Sequence, residues 1–335
     1  MDPEKIKNRL LVFLLTVFVL EAILSSIGNF KLNEYSRLEN EKIKKIQTIL
    51  DNAPILAKAI SVYDIDQNKI IYGKNDQTAI PIASLAKTMT VVTALNKHGA
   101  DSVVSISSNA IKQSGDDGFF INERWKIGDL ARLTLIGSLN DGAYLLTENI
   151  SDFLETMNNK ARKIGMQNVL FLNPTGLDID ENEPGLSATL RVAMRAGAYS
   201  SAYDANILAI YALKDYPAIF SSTVLSEINL KSESGFNHEI KNTNIILAKI
   251  PNLLFSKTGF TELAGGSLTV IFKNQEGKKI AITILGSTLE GRFSDMEKLQ
   301  HDIIVPSGLI PYGNRRVCDD YPENEFLGAL FLRKE

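Results

Sequence analysis

The sequence predicts an α/β fold of the α+β type, in which helices flank an antiparallel sheet and a mostly helical lobe is inserted in mid-chain. Alternating apolar and polar residues near residue 60 predict a β-hairpin, and three strand-like segments follow residue 250. Between them, apolar side chains recur at helical spacing. Because strands from both ends of the chain would share one sheet, the helical middle becomes an insertion. The 335 residues, 44% of them hydrophobic, suffice for a large core.

An apolar run, LLVFLLTVFVLEAILSSI, occupies residues 10–27 near the start of the chain. Its 18 residues are about the length of a membrane-spanning helix. Three basic side chains precede it, which predicts that residues 1–9 are cytoplasmic. We expect a single-pass anchor in the cell membrane at residues 10–28, a polar stalk helix at residues 29–50 and an extracytoplasmic location for the rest.

A cleavable signal peptide is the alternative interpretation of the same run. Glu21 interrupts the apolar residues, and Ser26 and Gly28 are small residues suited to a cleavage site. Both interpretations export the rest of the chain. The single cysteine, Cys318, permits no internal disulfide.

The first predicted elements after the stalk are a hairpin and a series of helices. The hairpin covers residues 57–73 with its turn at 66–68, and a helix follows Pro81 and extends through Leu95. Further helical patterns cover residues 129–149, 151–164, 191–200 and 205–213. Together these patterns predict a helical lobe at about residues 88–205.

Three predicted strands complete the sheet in the C-terminal third. They are LLFSKTGFT (253–261), GSLTVIFK (266–273) and KKIAITILGS (278–287), separated by turns that contain glycine. The predicted domain covers residues 51–310, and residues 311–335 form a tail without a recognisable pattern.

Ser84 and Lys87 lie one helical turn apart in PIASLAKTMT (81–90), an otherwise apolar segment. On a helix their side chains share a face. A serine hydroxyl needs a neighbouring base to act as a nucleophile, and a lysine becomes such a base when burial and nearby cations lower its pKa. Because serine and lysine are common residues, this spacing by itself is a weak indication of a site.

Ser138 and Asn140 lie in the apolar stretch LIGSLNDGAYLL, where Asp141 and Gly142 predict a turn between two helices. A hydroxyl beside an amide could relay a proton and hold a substrate amide. A second Ser-x-Asn at residues 107–109 lies in a polar loop, and we discount it.

Lys257, Thr258 and Gly259 lie near the end of the apolar strand predicted at 253–261. A cation and a hydroxyl at a strand edge could bind a carboxylate. Gly259 would let a substrate backbone approach closely and pair along the edge.

The three motifs occur in the order Ser-x-x-Lys, Ser-x-Asn, Lys-Thr-Gly, at separations of 54 and 119 residues. In this order the chain resembles the penicillin-recognising serine hydrolases. More narrowly, it is similar to the low-molecular-weight penicillin-binding proteins that are serine-type D-alanyl-D-alanine carboxypeptidases of peptidase family S11. The similarity covers about residues 53–300 and includes FLNPTGLD (171–178), NTNIIL (242–247) and GRFSDMEKL (291–299). It implies a β-lactamase/transpeptidase-like fold.

The resemblance implies catalytic roles for four residues. Ser84 would be the acylated nucleophile and Lys87 its general base. Ser138 would relay protons to the leaving group, and Asn140 would hydrogen-bond the substrate amide.

The resemblance also implies a substrate-binding set around the third motif. Lys257 and Thr258 would bind the terminal carboxylate of the substrate with help from Arg292, and Lys257 would lower the pKa of the base by like charge. The backbone N–H groups of Ser84 and Phe260 would form the oxyanion hole.

The function implied is removal of the terminal D-alanine from peptidoglycan pentapeptides ending in D-Ala–D-Ala, with β-lactams as covalent inhibitors. Three alternatives stay open: an endopeptidase that cuts cross-links, a β-lactamase and a non-catalytic penicillin-binding sensor. A β-lactamase would need a glutamate for deacylation, and Glu181 and Glu183 are the candidates.

Two classes of partner are not expected. A net charge of −3 provides no basic surface for nucleic acid. His98, His238 and His301 lack the spacing of metal ligands, so we expect no metal and no cofactor.

Overall fold

The computed structural model describes residues 3–113, 118–148, 150–179 and 195–304. Some features considered in the sequence lie outside these residues: Glu181, Glu183, Cys318 and the tail at 311–335.

The described part of the chain contains helices and strands in mixed order. The helices are α1 Pro3–Asp51, α2 Ala86–His98, α3 Ile127–Gly137, α4 Asn140–Leu145, α5 Phe153–Lys163, α6 Ala202–Asp215, α7 Pro217–Phe220 and α8 Gly291–Ile304. The strands are β1 Ala59–Asp64, β2 Lys69–Lys74, β3 Ile80–Pro81, β4 Val103–Ser105, β5 Arg124–Lys126, β6 Val169–Phe171, β7 Ala198–Ser200, β8 Glu227–Lys231, β9 Asn237–Lys241, β10 Leu253–Thr261, β11 Gly265–Lys273 and β12 Lys279–Ser287.

The central sheet has five antiparallel strands in the order β10-β11-β12-β1-β2. The hairpin predicted near residue 60 therefore shares a sheet with the three C-terminal strands, as expected. Strand β10, which carries the third motif, lies at one edge, and β2 lies at the other.

Helices cover both faces of this sheet. Side chains along a strand alternate between the faces, so Ala281 and Leu285 of β12 join a core built with α2, α3, α5 and α6. Ile280, Ile282 and Ile284 join a second core, built with α8 and the last turns of α1. This architecture confirms the predicted α+β class.

The turn of the second motif lies at a different residue from the one expected. Asp141 and Gly142 belong to α4, and the chain turns at Ser138, which adopts a left-handed conformation (φ 60°, ψ 35°) at the end of α3. Gly142 serves packing between helices, since a Cβ there would lie 2.3 Å from Thr134 Oγ1.

The prediction of a helix at residues 191–200 is wrong for residues 198–200, at its C-terminal end. Residues Ala198–Ser200 form β7, which lies between β3 and β6 in a three-stranded sheet. A strand of three residues is too short to display a period of two, so the apolar residues around it resembled a helical pattern.

The hairpin of β8 and β9 was not predicted. Exposed residues alternate with half-buried ones and with the buried, polar His238, so its sequence has only a faint apolar alternation. The hairpin packs against α3, where Ile240 Cγ2 would meet a Cβ on Gly137 at 2.5 Å.

Helix α1 joins the segment predicted as an anchor to the predicted stalk and ends in contact with the sheet. Ile46 and Leu50 are buried in its last turns, and Gln47 donates a hydrogen bond to the Ile71 carbonyl at 3.0 Å. Lys42 forms an ion pair with Glu276. Among the helices of residues 3–113, 118–148, 150–179 and 195–304, none has the length and hydropathy of a membrane span.

Candidate active site

Ser84 and Lys87 meet at the N-terminal end of α2. Ser84 lies in a 3-10 turn, Ala83–Leu85, and Lys87 lies in the first turn of the helix that follows. Lys87 Nζ lies 2.7 Å from Ser84 Oγ. The lysine is fully buried, and the serine is 8% exposed. A buried amine is therefore held in direct contact with the candidate nucleophile.

The second motif connects two lysines. Asn140, the first residue of α4, accepts a hydrogen bond from Lys87 Nζ through Oδ1 at 2.8 Å. Ser138 Oγ accepts one from Lys257 Nζ at 2.9 Å. The left-handed turn at Ser138 lets two residues only two positions apart reach these separate amines.

Lys257 is 1% exposed and also donates to the Thr258 carbonyl at 2.9 Å. Burial lowers the pKa of Lys257 well below its ordinary value, and the positive charges of Lys87 and Arg292 lower it further. The sequence-based expectation was that Lys257 acts by like charge on Lys87; the lowered pKa here is that of Lys257, so the effect on Lys87 stays a prediction. Nearby, the hydroxyl oxygens of Thr258 and Thr243 lie 2.5 Å apart.

Gly259 lets the edge strand β10 lie directly against the Ser84 turn. A Cβ at Gly259 would lie 2.8 Å from the Ile82 carbonyl oxygen and 3.2 Å from Ser84 N. The sequence predicted close approach of a substrate backbone at this glycine, and the structure shows close approach of the chain's own backbone. The next residue, Phe260, is 36% exposed.

Arg292 is the second residue of α8 and is buried. Its Nη1 donates to the Gly259 carbonyl at 2.7 Å, and its guanidinium carbon lies 4.7 Å from the centre of the Phe293 ring. Burial lowers the pKa of Arg292. Arg292 thus contacts the strand of the third motif through its backbone.

A loop that sequence reasoning left without a role provides a further contact of Lys87. The Thr175 carbonyl accepts a hydrogen bond from Lys87 Nζ at 2.9 Å. Gly176, at φ +76°, lies against the Ser84 turn, since a Cβ there would lie 2.0 Å from the Ala83 carbonyl oxygen. The available signal was the stretch FLNPTGLD, but a backbone carbonyl has no residue type to recognise.

Cationic side chains dominate the charge of this site. Lys87, Lys257 and Arg292 are all buried there, which favours an anionic ligand such as a carboxylate. Across residues 3–113, 118–148, 150–179 and 195–304, no group of three or more His, Cys, Asp or Glu side chains could hold a metal ion.

Comparison with known proteins identifies relatives that are named as D-alanyl-D-alanine peptidases. D-alanyl-D-alanine carboxypeptidase DacF of Bacillus subtilis is 30% identical over 253 residues, which cover 72% of this chain and 61% of DacF. The D-alanyl-D-alanine endopeptidase of Escherichia coli is 28% identical over 250 residues, which cover 71% of this chain and 74% of that protein. The chain thus spans about three fifths of the length of DacF.

Solved structures have the same architecture. Penicillin-binding protein D2 of Listeria monocytogenes, in its cefotaxime-bound form, superposes with a TM-score of 0.59 at 28% identity, over 75% of this chain and 98% of that one. The Streptomyces K15 DD-transpeptidase has a TM-score of 0.63 at 21% identity, over 75% of this chain and 97% of that one, and supports the fold. The sequence profile of the D-alanyl-D-alanine carboxypeptidases, peptidase S11, matches residues 46–288. The chain therefore belongs to the D-alanyl-D-alanine carboxypeptidase family, peptidase S11.

Proposed function

We propose that this chain is a serine-type DD-carboxypeptidase that removes the terminal D-alanine from peptidoglycan stem peptides through an acyl-enzyme on Ser84. The observation that carries the proposal is the buried contact of 2.7 Å between Lys87 Nζ and Ser84 Oγ. Family membership supports the choice of bond, because DacF is named for this carboxypeptidase activity.

Acylation uses Lys87 as the general base. A neutral amine has two N–H bonds and one lone pair. Asn140 Oδ1 and the Thr175 carbonyl oxygen can only accept hydrogen bonds, so each accepts one from an N–H of the amine. The lone pair is then available to the Ser84 hydroxyl, and Lys87 takes its proton as the serine oxygen attacks the carbonyl carbon.

The tetrahedral intermediate forms between the Ser84 turn and β10. Its oxyanion accepts hydrogen bonds from the backbone N–H groups of Ser84 and Phe260, and the close packing at Gly259 supports this pairing. Loss of one such donor typically costs about 10²–10³ in rate.

Collapse of the intermediate breaks the C–N bond and releases D-alanine. Its nitrogen takes the proton that Lys87 removed from Ser84, relayed through the Ser138 hydroxyl, and this leaves Lys87 neutral again. Ser138 Oγ is itself held by Lys257 Nζ at 2.9 Å. Water then cleaves the ester and restores the serine. Lys257 and Thr258 hold the terminal carboxylate, and Arg292 steadies their strand through the Gly259 carbonyl.

D-alanine release from a pentapeptide ending in D-Ala–D-Ala tests this function. Wild type should release D-alanine, and Asn140→Ala should lose most of the rate because Lys87 loses an acceptor. Asn109→Ala is the matched control, since Asn109 of the other Ser-x-Asn is exposed and lies in a loop. Equal loss in both variants, or no release by wild type, contradicts the proposal.

An endopeptidase is the second candidate, and the 28% identity with the Escherichia coli endopeptidase favours it. The same site would cut a cross-link between two stem peptides. Faster turnover of a cross-linked dimer than of the pentapeptide would select this function.

β-Lactams are proposed to acylate Ser84, as the antibiotic-bound forms of the Listeria protein suggest by analogy. A long-lived adduct with D-alanine release fits a carboxypeptidase. Rapid penicillin loss without an adduct would indicate a β-lactamase, and an adduct without peptide turnover would indicate a sensor.

Membrane attachment is also part of the proposal. The apolar run at residues 10–27 supports an anchor over 10–28 with the catalytic domain outside the cytoplasm. Recovery of the full chain in the soluble fraction after carbonate extraction of membranes would contradict the anchor.

A further inference from the structure

The loop at residues 173–178 contacts three parts of the site. The Thr175 carbonyl binds Lys87, and Gly176 packs on the turn that carries Ser84. Asp178 Oδ1 accepts a hydrogen bond from Thr261 Oγ1 at 2.8 Å, at the end of β10. The loop is therefore placed to set the geometry of the base, the nucleophile and the edge strand together.

We infer that Asn173 is a positioning residue for Lys87. Its Oδ1 accepts hydrogen bonds from Gly176 N at 2.7 Å and from Thr175 Oγ1 at 3.2 Å. Its Nδ2 donates to the Leu177 carbonyl at 3.0 Å. One side chain thus fixes three consecutive residues, including the one whose carbonyl meets the lysine.

The surroundings of Asn173 leave its side chain little freedom. A Cβ on Gly197 would lie 2.3 Å from Asn173 Nδ2 and 2.2 Å from the Leu177 carbonyl oxygen. The backbone N–H of Asn173 also donates to the Gly197 carbonyl at 3.0 Å. Gly197 therefore packs directly against the side-chain amide of Asn173, which limits the movement of that side chain and of the loop.

This placement decides which way the lone pair of Lys87 points. When the Thr175 carbonyl moves, one N–H of the amine loses its acceptor, and rotation of the amine can turn the lone pair away from Ser84. The inference rests on the proposed function, in which Lys87 is the base. Misplacement of a reacting group by about 1 Å costs on the order of 10²-fold in rate.

Asn158 provides a matched control within the same region. It is half-buried like Asn173, and its side chain likewise makes three hydrogen bonds. All three join it to the backbone, at the Leu154 carbonyl, the Phe171 carbonyl and Phe171 N. These bonds hold strand β6, which leads into the loop. None of the three involves Thr175–Leu177.

The test compares Asn173→Leu with Asn158→Leu in the full chain reacting with benzylpenicillin. Stopped-flow kinetics separate the acylation rate constant from the dissociation constant of the noncovalent complex. Asn173→Leu should lower the acylation rate constant roughly 10-fold or more, with a dissociation constant within about twofold of wild type. Asn158→Leu should lower only the melting temperature, and by at least as much as Asn173→Leu does.

Two outcomes overturn the inference while wild type still acylates: an unchanged acylation rate constant in Asn173→Leu, or an equal loss in both variants. If Asn173→Leu does not fold, Asn173→Asp carries the test. It puts a carboxylate oxygen in place of the amide nitrogen that lies 3.0 Å from the Leu177 carbonyl oxygen, and two acceptors that repel each other should displace the loop. A rate constant equal to wild type in that variant also overturns it. Failure of wild type to acylate would instead contradict the proposed function.

Discussion

Replacing Gly259 by alanine should separate the edge strand from the nucleophile. The new Cβ would lie 2.8 Å from the Ile82 carbonyl oxygen, and ordinary contacts begin at 3.4 Å. Backbone atoms on both sides must therefore move apart by about 0.6 Å. At about 10²-fold per ångström, we expect an acylation rate constant lower by on the order of 10-fold.

Gly73→Ala is the matched control, since Gly73 lies on the opposite edge strand of the same sheet. A Cβ there also meets an atom at 2.8 Å, but that atom is Cγ of Asp76, a side chain that can rotate away. Acylation by benzylpenicillin, followed by stopped flow, should fall in Gly259→Ala and stay at the wild-type rate in Gly73→Ala. An unchanged rate in Gly259→Ala would refute the reasoning that strand β10 and the Ser84 turn form one rigid unit.

Three further predictions concern the base, the buried cation and the stalk. Lys87→Ala should lower penicillin labelling by at least about 10²-fold with a native circular dichroism spectrum, and normal labelling would rule the lysine out as base. The pKa of Lys257 is lowered on folding, so the unfolded chain binds more protons than the folded chain between that pKa and 10.5. In thermal unfolding, wild type should therefore gain stability relative to Lys257→Met as the pH rises through this window. No relative gain would contradict the lowered pKa. Leu50→Ala should lower the free energy of unfolding by about 2–5 kcal/mol, whereas the exposed Leu38→Ala should change it by less than about 0.5 kcal/mol; equal effects in denaturant titrations would show that the end of α1 is not part of the core.

The predictable part of the site consists of side chains whose spacing has a direct structural meaning. Ser84 and Lys87 are three residues apart on a helix, so their contact follows from helical geometry. Strand β10 has the predicted bounds, because its apolar residues are buried over a length that a strand signal requires. The third motif then places Lys257 on this strand, where it is the middle residue.

Contacts made through the backbone were beyond sequence reasoning. The carbonyl of Thr175 binds Lys87, yet any residue has a carbonyl. The sequence shows that residues 259 and 176 are glycines, but only the fold shows that both lie against the Ser84 turn. Ser138 rather than Gly142 forms the left-handed turn, because packing against α3 requires the glycine. Tertiary packing decided these points.

Location of a penicillin adduct tests the central claim most directly. The full chain is incubated with benzylpenicillin and digested, and the modified peptide is sequenced by tandem mass spectrometry. The geometry of Lys87 and Ser84 predicts one stoichiometric adduct on Ser84 that is absent from Ser84→Ala. An adduct on any other residue, or no adduct in folded wild type, would contradict the assignment of Ser84 as the nucleophile.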